Sequence, residues 1–193
     1  MRNKNLNKLV KISVLSALSF VLMLIEFPLP IFPEFLKIDL GDIPAIIGGF
    51  ALGPFAGFLI ELIKNLLHLL VTKTLGIGEL ANFAVGAAFV MASSELYKRN
   101  KNKKNAVKGL IAGTIAMTLT AGITNYYIFI PLYSKFLFPA SAMIEAASKI
   151  NPGVKDISTY ILYAIMPFNL IKGVVVSIIT LLMYKKVSPI LHK

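Results

Sequence analysis

Six apolar runs occupy most of this 193-residue chain, and they constrain its fold more than any other feature. They cover residues 9–27, 43–52, 55–71, 80–97, 107–132 and 157–184. A membrane-spanning helix needs about 17 to 25 mostly apolar residues, and five of the runs reach that length. The second run is short, and Gly53 and Pro54 follow it as a tight break between two helices. The pattern predicts an all-α integral membrane protein, a six-transmembrane-helix bundle that forms a single domain over residues 1–193.

The composition agrees with this interpretation and excludes several classes of protein. Hydrophobic residues make up 56% of the chain and charged residues 15%, against about 25% charged residues in soluble domains. A chain without cysteine forms neither a disulfide nor a catalytic thiolate. The net charge of +11 is carried by cations at the ends of the apolar runs, where topology and membrane lipids explain it. We expect contacts with membrane lipids and none with nucleic acid.

The basic residues also predict the orientation of the bundle. Most of the 20 lysines and arginines lie in residues 2–11, 98–108 and 185–193. Six spans place these three segments on one side of the membrane, and the positive-inside rule makes that side cytoplasmic. We therefore expect a multi-pass protein of the cell membrane with both termini in the cytoplasm.

Two segments on the opposite, outer side are unusual for connecting loops. Residues 28–42 carry three prolines among several large apolar side chains, which makes this segment stiff. Residues 133–156 form a longer connection that is also rich in apolar residues. Because long ordered loops are often functional lids, we expect both segments to be structured covers.

The sequence lacks the motifs by which such a chain would catalyse a reaction on its own. It contains no G-x-x-x-x-G-K-[ST] phosphate loop, no H-E-x-x-H metal motif and no serine beside a plausible base. We expect no ATP hydrolysis, no catalytic residues, no metal site and no cofactor.

Polar side chains line one face of the third apolar run. Glu61, Lys64, Asn65 and His68 recur at helical spacing. Glu61 and Lys64 can therefore pair and neutralise each other inside the membrane. Two interpretations stay open: the four side chains form a polar seam against a neighbouring helix, or they contact a substrate or partner.

The last apolar run carries the most informative polar pair, in the stretch MPFNLIKG. Asn169 and Lys172 share one helix face there, and Asn125 lies at a similar depth in the fifth run. A lysine near the middle of a membrane helix costs about 2.5 to 3.5 kcal/mol. No carboxylate is evident in the sequence at that depth, so a ligand that offers hydrogen-bond acceptors would stabilise the charge. Hydrogen bonds between helices are the alternative explanation.

These three residues also indicate the chemistry of a ligand. Asparagine offers a donor and an acceptor in one plane, and a charged lysine offers donors alone. A planar heterocycle with carbonyl groups and a ring N–H, flanked by aromatic surface, matches that set, and a hydroxylated or phosphorylated tail would point toward the outer loops. Glu79 and Asn82 open the fourth run at its outer end and are further candidate substrate-binding residues.

Five stretches of the sequence resemble a known family of transport proteins. They are FLKIDLGDIPAIIGGFALGPFAG, ELIKN, GELANFAVG, TNYYIFIPLY and MPFNLIKG, in order from Phe35 to Gly173. The chain resembles the substrate-binding S components of energy-coupling factor (ECF) transporters, in particular the riboflavin-specific RibU family. The resemblance implies a six-helix bundle in the bacterial cytoplasmic membrane that captures riboflavin from outside.

The resemblance also implies partners and site residues. An S component works with a transmembrane T component and two ATP-hydrolysing A subunits, and riboflavin is its transported ligand rather than a cofactor, with FMN as a further candidate ligand. By resemblance, Asn125, Asn169 and Lys172 contact the flavin ring, and the loop after the first span is a gate. In the family an alanine-x-x-x-alanine motif of the first helix contacts the T component, and Ser13 and Ala17 take that place here.

Two other functions stay open at this stage. One is an S component for a different vitamin, in which case substitution of Asn169 and Lys172 by other residues would leave flavin affinity unchanged. The other is a membrane-embedded enzyme that acts on a lipid or quinone, although the sequence shows neither a recognisable nucleophile nor a phosphate loop. Turnover of such a substrate by purified protein would favour the enzyme.

Overall fold

A computed structural model of the chain describes the backbone of residues 4–191 and the side chains of residues 5–184. Two of the basic residues that support the predicted orientation, Arg2 and Lys193, lie outside the described residues. The side chains of Lys4, Lys185 and Lys186 also lie outside that part.

Helices dominate the described part of the chain, together with one two-stranded antiparallel sheet. The helices are α1 (Lys4–Met23), α2 (Asp42–Leu52), α3 (Pro54–His68), α4 (Ile77–Arg99), α5 (Lys103–Thr124), α6 (Ile130–Phe136), α7 (Ala140–Ser148), α8 (Ile157–Tyr160) and α9 (Met166–Leu191). The strands are β1 (Glu26–Pro28) and β2 (Lys37–Asp39), and a short 3₁₀ helix follows α3 at Leu69–Val71. π-helical turns at Asn125–Phe129 and Ile161–Ile165 join α5 to α6 and α8 to α9.

Among the described residues, five helical stretches are long and apolar enough to cross a membrane. They are Asn5–Met23, Pro54–Val71, Ile77–Arg99, Lys103–Phe136 and Ile157–Tyr184. The prediction of a helical membrane protein is therefore confirmed. The remaining predicted span, the second along the chain, is α2. Its 11 residues extend about 16 Å, whereas the hydrocarbon core of a membrane is about 30 Å thick. Helix length gives five spans, and α2 is the candidate for the sixth.

The break between α2 and α3 forms as the sequence predicts. Gly53 has a φ of 101°, which favours glycine, and Pro54 begins α3 where its missing N–H is not needed. The two helices then pack closely, since a Cβ added to Gly57 would lie 2.9 Å from the Cα of Gly49. Small residues at four-residue spacing thus bring helix backbones together inside the bundle.

The segment between α1 and α2 is an ordered cover, as predicted. β1 and β2 pair antiparallel, with Glu26 opposite Asp39. In the connection between the strands, Phe32 is buried, and its ring meets that of Phe168 on α9 edge-on at 5.5 Å between centroids. Apolar contacts therefore hold this hairpin against the last helix.

The connection between α6 and α8 is ordered as well. Its helix α7 buries Met143 and Ala147 against the rest of the protein. Asp156 caps α8, because its carboxylate accepts a hydrogen bond from the Thr159 backbone N–H at 2.8 Å and the Thr159 hydroxyl accepts one from the Asp156 N–H at 2.9 Å. The bonds from Thr159 hold the pKa of Asp156 below its ordinary value. The segment between α6 and α8 is therefore folded rather than a loose tether.

Candidate ligand-binding site

A cavity of about 550 Å³ lies among the hairpin, the end of α3, the start of α4 and the helices α5 to α9. Its volume falls in the range of about 300 to 1,000 Å³ that small-molecule sites occupy. Aromatic side chains form much of its wall: Phe35, Tyr133, Phe138, Tyr160 and Phe168. Both ordered covers contribute to the wall, through residues of β2 and of α7.

The three residues predicted to contact a planar ligand all line this cavity, and we call them the amide–lysine cluster: Asn125, Asn169 and Lys172. Each asparagine donates through Nδ2 to the backbone carbonyl four residues earlier, at 2.8 Å in both cases. The side-chain amide is thereby fixed, and the remaining Oδ1 atom is an acceptor. The structure thus brings these three side chains to one cavity from two different helices.

The aromatic residues beside Asn125 in sequence do not take part in the cavity wall. Tyr126 and Tyr127 are 44% and 72% exposed, and Phe129 is buried elsewhere in the bundle. The aromatic surface at the cavity therefore comes from residues other than these three. A π-helical turn begins at Asn125, and its wider winding changes the faces that follow from ordinary helical spacing.

Lys172 already has carboxylate partners, which corrects the expectation that none lies at its depth. Its Nζ lies 2.8 Å from Oδ2 of Asp39 and 3.4 Å from Oδ2 of Asp42. Asp39 ends β2, and Asp42 begins α2, so the fold of the hairpin brings both to the last helix. Both aspartates stand in the stretch KIDLGD of the sequence. Helical spacing, however, does not predict that Asp39 pairs with a lysine 133 positions further along the chain. Only the contact with Asp39 is a hydrogen bond, so two of the three N–H donors of the charged lysine remain for a ligand.

A second buried lysine extends this ionic network behind the cavity. Lys64 lies 2.6 Å from Oδ1 of Asp42 and also pairs with Glu61, which confirms the pairing predicted for the third run. All three side chains are fully buried and lie outside the cavity lining. Asn65 joins them by donating to Oε1 of Glu61 at 3.2 Å. These residues of the third run form a polar seam between helices.

His68 is not part of that seam and belongs to a different group of polar side chains at the end of α3. We call this group the histidine–glutamate cluster: His68, Thr72, Thr74 and Glu79. Oε1 of Glu79 lies 2.9 Å from Nδ1 of His68, and Oε2 accepts from the Thr72 and Thr74 hydroxyls at 2.9 and 3.0 Å. His68, Thr74 and Glu79 line the cavity. Glu79 thus reaches the cavity as predicted, but its carboxylate is held by side chains of the protein.

The other predicted site residues occupy two separate places. Asn82 lines the cavity one turn beyond Glu79, and its buried Oδ1 has no hydrogen-bond partner among the described residues. Ser13 and Ala17 lie on an exposed side of α1, together with the exposed apolar residues Val14 and Leu18. Among the side chains of residues 5–184, no group of three or more His, Cys, Asp or Glu is arranged to hold a metal ion.

Comparisons with known proteins extend over nearly the whole chain. A family model described as the substrate-specific component of ECF transporters matches residues 7–184. The riboflavin transporter RibU of Staphylococcus aureus (strain TCH60) is 38% identical over 186 residues, which cover 96% of this chain and 93% of that protein. The riboflavin transporter FmnP of Bacillus subtilis (strain 168) is 38% identical over 185 residues, which cover 94% of this chain and 92% of that protein.

The fold gives the same result. A solved structure of the S component of a bacterial ECF transporter matches with a TM-score of 0.78 and 35% sequence identity, and the match covers 98% of this chain and 100% of that chain. Family match, sequence identity and fold therefore agree across the same residues, and the helices that they share are apolar enough to cross a membrane. The chain belongs to the family of substrate-specific S components of ECF transporters, and it is a multi-pass membrane transport component rather than an enzyme.

Proposed function

We propose that this chain captures riboflavin in the cavity for import by partner subunits. The observation that carries the proposal is the amide–lysine cluster, which lines a cavity of suitable volume with aromatic walls. Two relatives with 38% identity over more than 90% of the chain are named riboflavin transporters. Together these observations favour a flavin over the other vitamins that S components of this family would carry.

The cluster suits the polar edge of the flavin ring system. That edge carries two carbonyl oxygens and a ring N–H. An N–H of Lys172 that Asp39 leaves available donates to a ring carbonyl. One of the Oδ1 atoms of Asn125 and Asn169 accepts from the ring N–H, and the second N–H of each side-chain amide, which the backbone carbonyls leave available, donates to a ring acceptor. The aromatic wall covers the apolar part of the rings.

The riboflavin proposal is tested first by colour and then by titration. Protein purified in detergent from riboflavin-containing medium is expected to be yellow, and ligand-free protein is expected to quench flavin fluorescence at one flavin per chain. Thiamine, titrated in the same way, serves as the control ligand. Colourless protein that does not quench flavin fluorescence would contradict the proposal and leave the family assignment intact.

FMN is proposed as a second ligand because of one lysine. Lys73, which follows Thr72 in the sequence, is exposed and lines the cavity. Among the described residues it forms no ion pair with a carboxylate. A phosphate group on the end of a flavin tail would supply the missing anion. Titration with FMN beside riboflavin tests this, and wild-type protein that binds riboflavin but not FMN would contradict it.

The proposed partners are a T component and two A subunits that hydrolyse ATP. The printed sequence contains no phosphate loop of its own, so import against a gradient needs an energy source elsewhere. The exposed small residues Ser13 and Ala17 on α1 are proposed to face the T component, since small side chains allow helices to pack closely in a membrane. ATP-independent accumulation of riboflavin by this chain alone would contradict the proposal.

We further propose six spans with both termini in the cytoplasm and α2 as the short span. Basic residues lie at the start of α1, between α4 and α5, and after Tyr184, and they support this orientation. Because the chain has no cysteine, single-cysteine variants report the topology directly. In intact cells, Asn151→Cys is expected to react with a membrane-impermeant maleimide, whereas Lys101→Cys is expected to react only after lysis. The reverse pattern would overturn the orientation.

A further inference from the structure

Two stripes of exposed aliphatic side chains run along α5 and α9, on the outside of the bundle. Each stripe takes every fourth residue of its helix, and each of its side chains is at least 45% exposed. The members on α5 are Ile111, Ile115, Leu119 and Ile123, and those on α9 are Leu170, Val174, Ile178 and Leu182. Residues at this spacing share one face of a helix. Because α5 and α9 pack against each other, the two stripes belong to neighbouring helices.

Exposed tyrosines follow both stripes at the end of the bundle that holds the cavity. Tyr126 and Tyr127 are 44% and 72% exposed, and Tyr163 is 47% exposed. Their hydroxyls form no hydrogen bond with another described residue. They lie on the π-helical turns Asn125–Phe129 and Ile161–Ile165, which contact each other. A phenol combines an apolar ring with a polar tip, and this combination is typical of side chains where lipid chains meet headgroups.

Lysines mark the opposite end of each stripe. Lys108 is exposed and precedes the stripe of α5, and Lys185 follows the stripe of α9 in the sequence. The sequence carries no charged residue between Lys108 and Lys135. Between Asp156 and Lys185 it carries only Lys172, which already has carboxylate partners. Lysines at the ends of membrane helices extend along the apolar surface toward the headgroups, so each stripe has a charged end and an aromatic end.

The distance between these two ends is similar on both helices and matches a bilayer. At a rise of 1.5 Å per residue, Lys108 and Tyr127 lie about 29 Å apart along the helix axis, and Tyr163 and Lys185 lie about 33 Å apart. The hydrocarbon core of a bilayer is about 30 Å thick. Two separate stretches of sequence thus place tyrosines at one membrane surface and lysines at the other.

We propose that Tyr126, Tyr127 and Tyr163 form a tyrosine belt that contacts phospholipid headgroups at the membrane surface nearest the cavity. The two stripes then face the acyl chains, and the charged connection between α6 and α8 lies outside the bilayer. Helix α1, which is proposed to face the T component, packs against α2 and α3, so the stripes lie on other helices. Asn125 begins the turn that holds two of the tyrosines, so this turn faces the cavity on one side and lipid on the other. The contact does not depend on which ligand the cavity holds.

Tryptophan fluorescence in vesicles tests the tyrosine belt, because the sequence contains no tryptophan. Tyr127→Trp and Tyr163→Trp each place a single tryptophan in the belt. Leu119→Trp and Val174→Trp are the matched controls in the stripes, since each lies about 17 Å along the helix from its lysine. None of these four residues lines the cavity. The vesicles contain phosphatidylcholine and phosphatidylglycerol whose acyl chains carry bromine either near the headgroup or near the chain end.

Bromine near the headgroup is expected to quench the two belt variants about twofold more strongly than bromine near the chain end. The order is expected to reverse for the two stripe variants. Thermal unfolding in detergent, compared with wild-type protein, reports that each variant is folded. Belt variants that are quenched most by bromine near the chain end, or by neither lipid, would overturn the headgroup contact. The expected pattern on only one of the two helices would overturn the belt as a common level.

Discussion

Lys64 and Lys172 are both buried lysines in membrane helices, and both pair with Asp42, yet their surroundings differ. Lys64 is fully enclosed between Asp42 and Glu61 and lies outside the cavity lining. Lys172 lines the cavity and faces Asp39 on the hairpin as well as Asp42. The comparison teaches that a buried charge in a membrane helix is not by itself a ligand site. What distinguishes Lys172 is a free donor beside an open volume.

Lys64→Met is expected to have the largest effect, and the effect should be on stability. Removal of one partner from a buried ion pair leaves uncompensated carboxylates, here Asp42 and Glu61, and typically costs about 3 to 5 kcal/mol. Thermal unfolding of ligand-free protein in detergent measures the loss. Lys98→Met is the control, since Lys98 is 61% exposed and lies 3.9 Å from Glu95.

A combined variant separates charge from packing at the same place. Lys64→Met with Asp42→Asn and Glu61→Gln removes all three charges and is expected to recover part of the lost stability. A single Lys64→Met variant as stable as Lys98→Met would contradict a structural role for Lys64.

Lys172→Ala is expected to act mainly on ligand affinity. Loss of a hydrogen bond from a charged donor to a flavin carbonyl should weaken riboflavin binding by about 1 to 3 kcal/mol. Ligand-free stability should fall less than in Lys64→Met, because Asp42 keeps Lys64 as a partner and Asp39, which lines the cavity, keeps the Gly41 N–H as a donor. Fluorescence titration and thermal unfolding of the same preparation give both values. Unchanged affinity in a well-folded variant would remove Lys172 from the site.

Asp39→Asn tests whether the ion pair of Lys172 holds the hairpin closed over the cavity. The amide cannot match the charge of the carboxylate 2.8 Å from Lys172, so the hairpin should open more often. Riboflavin should dissociate about three- to tenfold faster, equivalent to about 0.6 to 1.4 kcal/mol. Stopped-flow fluorescence measures the rate.

Glu26→Gln is the control for the same hairpin. It removes the partly exposed ion pair between Glu26 and Lys37, which is expected to contribute little. If this variant accelerates dissociation as much as Asp39→Asn, the hairpin is sensitive to any change and the pair of Asp39 with Lys172 is not the cause.

Helical periodicity predicted the parts of the site that depend on one helix at a time. The spacing of Asn169 and Lys172, and the similar depth of Asn125, were sufficient to place these three residues at one cavity. The pairing of Glu61 with Lys64 follows from the same rule. Apolar runs likewise predicted the five long spans, because burial in lipid determines composition directly.

Features that depend on irregular backbone could not be predicted in this way. The ion pair between Asp39 and Lys172 requires the antiparallel pairing of β1 and β2, which no local pattern fixes. The outward direction of Tyr126 and Tyr127 follows from a π-helical turn. Their sequence alone gave no signal of it.

Lys73 is a third lysine for this comparison, and among the described residues it pairs with no carboxylate. Its substitution is expected to have the smallest effect. Lys73→Gln should weaken FMN binding by about 0.2 to 1 kcal/mol at low salt, because an exposed ion pair with the phosphate is weak. The difference should shrink at high salt, where counterions screen exposed charges. Riboflavin, which has no phosphate, should bind the variant and the wild type equally well. Fluorescence titrations of both flavins at two salt concentrations measure these effects. An equal loss for riboflavin would mean that Lys73 shapes the cavity rather than binds phosphate.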